Sequence, residues 1–368
     1  MQLEATDLLA INRGGVNYQV TAGRFNTPDS GLGTDLIMVQ RGGELYQLAK
    51  SELYSSAGVL ETTDFLLVER DSELFSLHPA GLPSTIPYFR LGFTASGVND
   101  SESILNFQWT NARPLNGVPA QLRLATPDGT FVVFLGTSGF NSYKKSDLGN
   151  GIGQVTVYGK FDDIGFLNSK GLVQMTQSAT GAIQAMMPTP GATFGQSMFF
   201  GCRQLATVIT NMPVQNMSAM FQGCTVFNQS IASMPTGSVE NFSNTFRDCP
   251  AFNKSISLWD TRSATTMFGM FQGAVAFDQS LNSWGPGLGK VTSFGSMFID
   301  TVSYNQPMNQ WDVSAAGSQG LNNFFNSATA FSQDLTSWCV TNFASAPAGF
   351  SGGSALTNAQ LPVWGTCP

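Results

Sequence analysis

The chain has 368 residues, more than one ordinary domain, so two or three domains are expected. Its charged residues amount to only 11% and its formal net charge is −7. Phosphate binding needs clustered lysine and arginine, and the absence of such a cluster argues against nucleic acid as a partner. The sequence contains neither a signal-peptide pattern at its start nor an apolar run approaching about 18 residues, so we expect no membrane insertion.

Residues 5–82 contain three segments that align without gaps, at steps of 28 and 29 residues: ATDLLAINRGGVNYQV, GTDLIMVQRGGELYQL and TTDFLLVERDSELFSL. Each predicts a strand, a turn and a second strand, because glycine pairs at the turn accept the positive φ of a tight hairpin. A lone hairpin is marginal in water, so the three must pack on each other, on a partner chain or on a larger assembly.

Each hairpin unit carries an aspartate before its first strand and an arginine at its turn. Two interpretations are open. The aspartate and arginine of each unit form an ion pair, or the aspartate caps the strand entry and the arginine is solvated at the turn. The six residues of these hairpins are Asp7, Arg13, Asp35, Arg41, Asp64 and Arg70.

The segment LPSTIPY breaks this pattern and predicts a linker. Beyond it, ILNFQWT, AQLRLAT, TFVVFLG and GQVTVYGKF alternate or run apolar between glycine, proline and aspartate, which predicts a β-rich domain over 86–166. Residues 162–193 are then expected to seal the repeats that follow, as terminal repeats require.

Six copies of one pattern occupy residues 199–338. Aligned on a phenylalanine anchor, they are separated by 22, 25, 25, 27 and 27 residues, which are solenoid periods. The anchors are Phe199, Phe221, Phe246, Phe271, Phe298 and Phe325. A small residue follows three positions after each anchor, and large apolar residues follow at six, ten and thirteen positions. These columns predict continuous buried ladders, because one repeat cannot bury that face alone.

Two local elements are predicted within each repeat. Apolar residues before the anchor fall at i, i+3, i+6 and i+7, which predicts about two turns of helix. A short extended segment is predicted around residues 228–231 and their equivalents. The fold class is therefore mainly β with short helices: three β-hairpin repeats over 1–85, a β-sandwich over 86–166, an α/β repeat solenoid over 167–340, and a C-terminal cap over 341–368.

Two polar columns follow the large apolar residue at six. We expect the first, Asn228 and its equivalents, to satisfy backbone groups in the turns. The second is the candidate surface-binding strip, although its side chains are equally able to stabilise their own ladder. This strip is Gln229, Lys254, Gln279, Gln306 and Gln333.

The blocks MFQGCTVFNQSIASM, MFQGAVAFDQSLNSW and FFNSATAFSQDLTSW resemble the BspA-like leucine-rich repeats of bacterial surface lipoproteins and of marine phage or bacterial surface proteins. The ending WCVTNFASAPAGFSGGSALTNAQLPVWGTCP is similar to the cap that closes such arrays. This resemblance covers residues 194–368. It implies a fold and an adhesive or display role, not an activity.

Two looser resemblances precede it. The order of strands over 86–166 resembles a PKD-like β-sandwich, but the chain has Pro127-Asp128-Gly129-Thr130 where that family has a WGDG turn, so the sandwich is degenerate. The N-terminal units resemble short repeats of structural proteins from tailed phages of marine bacteria. That resemblance implies attachment to a particle through residues 1–85.

The five cysteines fall into two groups. Cys202, Cys224 and Cys249 occupy the small-residue column, where alanine and threonine also occur, so we expect buried thiols. Cys339 and Cys367 flank the C-terminal cap and are a candidate disulfide.

Catalytic chemistry has little support in the sequence. Its one histidine, His78, precedes a proline at the end of the third hairpin unit. No zinc-protease, nucleophile-elbow or phosphate-loop motif occurs, the cysteines lack metal-site spacing, and no cofactor is expected. The carboxylates of the repeats are scattered through different positions, whereas glycoside hydrolysis needs a pair at a set separation.

We therefore expect a non-enzymatic virion structural protein of a tailed bacteriophage, a fibre, appendage or capsid decoration that contacts the host. Its expected partners are other virion proteins, further copies of itself, and a host glycan or protein. A bacterial cell-surface or secreted adhesin is the alternative. A polysaccharide-degrading enzyme is a third reading.

Overall fold

The computed structural model describes a long continuous stretch and a series of shorter ones. These are residues 8–13, 16–21, 36–41, 44–49, 64–70, 73–77, 84–85, 88–94, 98–99, 102–115, 120–126, 129–144, 154–177, 186–187, 191 and 193–368. Within them the protein is mainly β with very few helices, as the composition of the segments predicts.

The strands are β1 (Leu8–Arg13), β2 (Val16–Thr21), β3 (Leu36–Arg41), β4 (Glu44–Ala49), β5 (Asp64–Arg70), β6 (Glu73–Leu77), β7 (Ser84–Thr85), β8 (Phe89–Phe93), β9 (Ser103–Thr110), β10 (Gln121–Thr126), β11 (Gly129–Phe134), β12 (Gly139–Lys144), β13 (Gln154–Tyr158), β14 (Asp163–Gly165) and β15 (Leu172–Gln177). Two 3₁₀ helices are described, Asn282–Gly287 and Asn358–Gln360.

The strands form three sheets. The first, of seven strands, has the order β2-β1-β3-β5-β6-β7 with β4 paired to β3, and in it β1–β2, β3–β4 and β5–β6 are antiparallel pairs. The second has the order β11-β10-β13-β8-β15, and the third has the order β12-β9-β14.

The second and third sheets contribute to the same apolar core as the repeats. Leu122 and Val157 are fully buried and lie opposite each other on β10 and β13. From the third sheet, the Phe107 ring is stacked on the Trp109 ring, with centroids 5.4 Å apart. The Trp109 indole N–H donates to Gly136 O at 2.8 Å, so this buried ring also has its polar atom satisfied.

Successive repeats are joined through their backbones. Alternate N–H groups of each repeat donate to carbonyl groups of the next: Ala219 N–H to Ser243 O at 2.8 Å, and Phe221 N–H to Thr245 O at 3.0 Å. The intervening N–H groups close turns inside the repeat, as where Cys224 N–H donates to Phe221 O at 3.0 Å. The backbone N–H and C=O groups of the repeats are thus hydrogen-bonded partly between repeats and partly within one repeat.

This arrangement depends on two backbone positions in each repeat, two residues before the anchor and two after it. All twelve have positive φ, between 52° and 74°. They are Ser197, Gly201, Ala219, Gly223, Asn244, Asp248, Gly269, Gly273, Ser296, Asp300, Asn323 and Ser327. Glycine, asparagine or aspartate fills eight of the twelve, the residues that adopt the left-handed conformation most readily.

The helical turns predicted before each anchor are wrong. Residues 193–368 contain only the two 3₁₀ helices named above, and neither lies in the seven residues before an anchor, where the helical turns were predicted. Two residues with positive φ, four positions apart around each anchor, cannot both lie in a right-handed helix. Tight turns bring residues i and i+3 to one face as a helix does, so the spacing alone did not separate the two. The predicted extended segment at 228–231 is not a regular strand either.

The predicted core columns are buried ladders of stacked rings. Centroids of successive anchor rings are between 5.5 and 5.7 Å apart, and all six anchors are fully buried. In the column six positions after the anchor, centroids of successive rings from Phe227 through Phe331 lie between 5.8 and 6.0 Å apart. Each stacked pair contributes about 0.5–1.5 kcal/mol beyond its buried area.

Both ends of the repeat array are closed. Phe166 stacks on the first anchor with centroids 5.7 Å apart, which extends the ladder one position beyond the aligned repeats. At the other end, Phe350 stacks on Phe324 at 6.0 Å. A disulfide joins Cys339 to Cys367 across this C-terminal segment.

The positive-φ positions generate a stability prediction. Gly269 has φ +62° and an added Cβ would lie 2.5 Å from Asn244 Oδ1, so we expect Gly269→Ala to lower the free energy of unfolding by about 2 kcal/mol. Ala219→Gly should raise it by about 0.5–1 kcal/mol, because alanine has no advantage at φ +54°.

The measurement is urea unfolding of the purified chain. Gly317→Ala is the matched control, because an added Cβ there meets only Thr292 O at 3.7 Å, and its stability should change by less than about 0.5 kcal/mol. Equal effects of the alanine substitutions at positions 269 and 317 would contradict the backbone argument.

A second prediction concerns acid stability. Hydrogen bonds from Arg113 and Asn111, 2.5 and 2.6 Å long, lower the pKa of Asp162. The carboxylate therefore contributes stability that is present above its unfolded pKa of about 3.9 and is lost as pH falls through the lower folded pKa. Asp162→Asn should flatten the dependence of melting temperature on pH below about pH 4, and an unchanged slope would refute the role.

Candidate functional site

The paired aspartates and arginines of the N-terminal units, and His78, lie at strand boundaries or outside the described residues. Asp7, Asp35 and His78 are outside them. Arg13, Arg41 and Arg70 end strands β1, β3 and β5, and Asp64 begins β5. The predicted pairing of each aspartate with its arginine therefore stays a prediction.

The candidate binding strip lies along the repeats with its amides engaged in the ladder. Gln279 Nε2 donates to Asn253 Oδ1 at 2.8 Å, and Gln306 Nε2 donates to Asp278 Oδ1 at 2.9 Å. Gln333 Nε2 likewise donates to the preceding repeat, at 2.9 Å. These three side chains are half-buried. The amides that the strip would offer to a ligand thus hold adjacent repeats together.

The remaining strip residues are Gln229 and Lys254. Gln229 bonds both backbone groups of Val208, through Oε1 and Nε2. Lys254 is half-buried at the equivalent position. In the neighbouring first column, Asn228 Oδ1 accepts the N–H of Asn253 at 3.0 Å, the backbone-satisfying role expected of it.

A different face of the repeats carries a concavity of about 420 Å³. We call it the polar concavity, and it is lined by Gln215, Asn216, Ser238, Glu240, Asn241, Thr265 and Thr266. These residues precede their anchors by five, six or eight positions and come from three successive repeats. The sequence signal for them is a pair of polar residues six and five positions before the anchors Phe221, Phe246 and Phe271, which the apolar spacing does not reveal.

Backbone pairing between repeats sets the rows of this concavity. Asn241 and Thr266 form a parallel bridge, and Thr266 forms another with Ser293. Glu240 O accepts the Thr265 N–H at 2.8 Å and also its hydroxyl at 3.1 Å. Equivalent side chains therefore project side by side from adjacent repeats.

Hydrogen bonds orient the two asparagines of the concavity. Asn216 Oδ1 accepts the Ser218 N–H at 2.8 Å, and Asn241 Oδ1 accepts the Ser243 N–H at 2.9 Å. Neither Nδ2 group has a hydrogen-bond acceptor within the described ranges, and the Glu240 carboxylate has no ion-pair or hydrogen-bond partner there. The arrangement presents two amide donors and one carboxylate acceptor to solvent.

An exposed aromatic residue adjoins this surface. Ser243 Oγ and Thr266 Oγ1 are 3.1 Å apart, which places the row three before the anchor beside the row five before it. Phe268 belongs to the row three residues before the anchor and is 41% exposed. Its ring lies beside Gly295, where an added Cβ would be 3.3 Å from Phe268 Cδ2.

The three cysteines of the small-residue column are buried, and each thiol donates to a carbonyl of the preceding turn. Burial raises the pKa of Cys202 and of Cys249 to about 12 and that of Cys224 well above its ordinary value. Thiolates are the reactive form, so these side chains are not poised as nucleophiles.

Metal-binding clusters and membrane-spanning helices are both absent from the described residues. Within them, no three or more histidine, cysteine, aspartate or glutamate side chains lie together so as to hold a metal ion. The same part of the chain has no helix with the length and apolar character needed to cross a membrane.

Comparison with known proteins finds a similarity in the repeat region. A family model described as "Mycoplasma protein of unknown function, DUF285" matches residues 194–287 and again residues 287–364. Domains of this kind are found in BspA-like surface proteins. No curated protein and no solved structure matches the chain. The resemblance of the repeats to a surface-protein domain is thus supported, while leucine-rich, PKD-like and phage-like character stay predictions.

Cysteine accessibility gives a direct test of the buried column. Iodoacetamide at pH 8 should modify none of the five cysteines in the native chain, because three are buried and two are joined. Unfolding without reductant should expose three thiols, and unfolding with reductant should expose five, counted by intact mass. Labelling of Cys202, Cys224 or Cys249 in the native chain would contradict the burial.

Proposed function

We propose that this chain is a non-enzymatic structural protein that displays a BspA-like repeat solenoid for adhesion, and that it does so on the virion of a tailed bacteriophage. The observation that carries the adhesive part is the match of residues 194–287 and 287–364 to a domain found in BspA-like surface proteins. The stacked repeats suit that role, because their core columns are buried and their surface rows are free to vary.

The finer architecture belongs to the same proposal. The antiparallel pairs β1–β2, β3–β4 and β5–β6 act as three hairpin repeats that attach the chain. The sheets that contain β10 and β9 form a degenerate PKD-like sandwich, which spaces the solenoid from its attachment point. The solenoid is of the leucine-rich-repeat type in its stacking of short repeats, although its turns replace the helices of an α/β solenoid.

The virion setting rests on the resemblance of the N-terminal units to repeats of marine phage structural proteins. Attachment at one end and exposure of the repeats at the other implies virion partners for residues 1–85 and a host glycan or protein for the distal part. Several copies on one particle would raise the avidity of weak individual contacts.

A bacterial cell-surface or secreted adhesin is the second candidate. The family match favours it, because BspA-like surface proteins carry this domain. The two candidates differ in where the chain resides: on phage particles, or on uninfected bacteria.

Quantitative mass spectrometry of purified virions tests the proposal. We expect the chain in a fixed copy number per particle, and we expect a chain lacking residues 1–82 to be lost from particles. The truncated chain should keep the melting transition of its repeats, which shows that loss is not misfolding. Truncated chains retained on particles would refute the attachment role, and the chain's presence on uninfected bacteria but not on virions would favour the second candidate.

A further inference from the structure

We propose that the polar concavity is a binding site for an uncharged oligosaccharide. The proposal rests on the adhesive function and specifies its ligand class and its contact residues. It also moves the contact surface from the glutamine strip, whose amides are engaged in the ladder, to another face of the same repeats.

The hydrogen-bonding groups of the concavity suit a sugar. Sugar hydroxyls both donate and accept, so a site for them needs donors and acceptors together. Asn216 and Asn241 each present two Nδ2–H donors, and Glu240 presents a carboxylate acceptor. The exposed Ser238 hydroxyl both donates and accepts.

The site is largely formed before any ligand binds. The Oδ1 atoms of Asn216 and Asn241 are held by backbone N–H groups of the same turns, so the amide planes are fixed. The Thr265 hydroxyl is likewise held on Glu240 O. Groups that are already ordered lose less conformational entropy on binding, which favours affinity. A volume of about 420 Å³ lies within the range of ordinary ligand sites.

Phe268 gives this surface an apolar contact. Its exposed ring lies on the same face as Thr266, and the N–H of Phe268 donates to Thr266 Oγ1 at 3.4 Å. A sugar ring has faces of C–H groups as well as hydroxyls, and such a face packs on an aromatic ring while the hydroxyls reach the polar groups beside it. Ser218 and Ser243 precede it in the same row, so the aromatic contact lies at one end of the concavity.

Charge decides between uncharged and acidic glycans. Glu240 is the one charged residue that lines the concavity, and the chain carries a formal net charge of −7. A sulfate or uronate placed beside Glu240 would meet a like charge with no cation lining the site. The ligand is therefore expected to carry hydroxyl and acetamido groups rather than anionic ones.

The test uses the full chain on a printed array of neutral and acidic oligosaccharides, followed by titration of the best neutral ligand. Asn216→Asp with Asn241→Asp removes the Nδ2 donors but keeps the Oδ1 acceptors for Ser218 and Ser243. This double variant should weaken binding about tenfold or more. Phe268→Ala should weaken it about threefold to tenfold.

Asn228→Asp is the matched control, because it makes the same change at a ladder asparagine outside the concavity and keeps its acceptor for Asn253. It should bind as the unaltered chain does. Equal binding by the double variant and the control, or a preference for acidic oligosaccharides, would overturn the inference.

Adhesion of the chain to host cells separates this inference from the adhesive function. Adhesion that survives the double variant overturns the glycan site and leaves adhesion standing. Adhesion with no array binding does the same and directs attention to a protein receptor. Failure of the unaltered chain to adhere at all overturns the adhesive function itself.

Discussion

The constraint on which the repeat region depends is that alternate backbone N–H groups must leave one repeat and reach the next. A right-handed helix directs all its N–H groups along its own axis and cannot do this. Positive φ at two positions in each repeat turns the chain so that successive N–H groups donate alternately to the next repeat and to a carbonyl of their own repeat.

Aromatic stacking follows from the same geometry. Repeats held by backbone hydrogen bonds place equivalent residues above one another, so successive anchor rings lie nearly parallel with centroids 5.6 to 5.7 Å apart. Trp259 and its three equivalents complete the pattern, each donating its indole N–H to a carbonyl of the preceding repeat. The two ends of such a ladder are destabilising unless they are covered, because the terminal rings lack a stacking partner and the terminal amides lack a hydrogen-bond partner. Phe166 meets that need at one end, and Phe350 with the C-terminal disulfide meets it at the other.

The buried columns of the repeats could be predicted from the sequence, because residue type and spacing follow directly from burial. Six equal offsets identified the buried columns, including the cysteines, because only a repeated environment preserves residue size at a set position. The sequence prediction failed on the helices, because a spacing of three residues is common to helices and to tight turns. The better signal was at the positions of Asn244, Asp248, Gly269 and Gly273, residues typical of positive φ, in a segment where a helix would exclude them. The polar concavity was missed because it is made by rows from three repeats, and a polar pair within one repeat does not show that such pairs lie side by side.

The division between columns and rows bears on how such a protein acquires specificity. Replacing a core residue disturbs stacked neighbours on both sides, whereas replacing Asn241 or Thr266 changes the surface that a partner meets and, inside the protein, only hydrogen bonds of the turns nearby. The candidate surface-binding strip shows that a polar column beside the core does not by itself make a binding site, since its amides form hydrogen bonds between repeats. Binding groups must instead be polar atoms that the ladder leaves unused. In this chain the Nδ2 atoms of Asn216 and Asn241 and the carboxylate of Glu240 meet that condition together, which is why the contact surface is placed there.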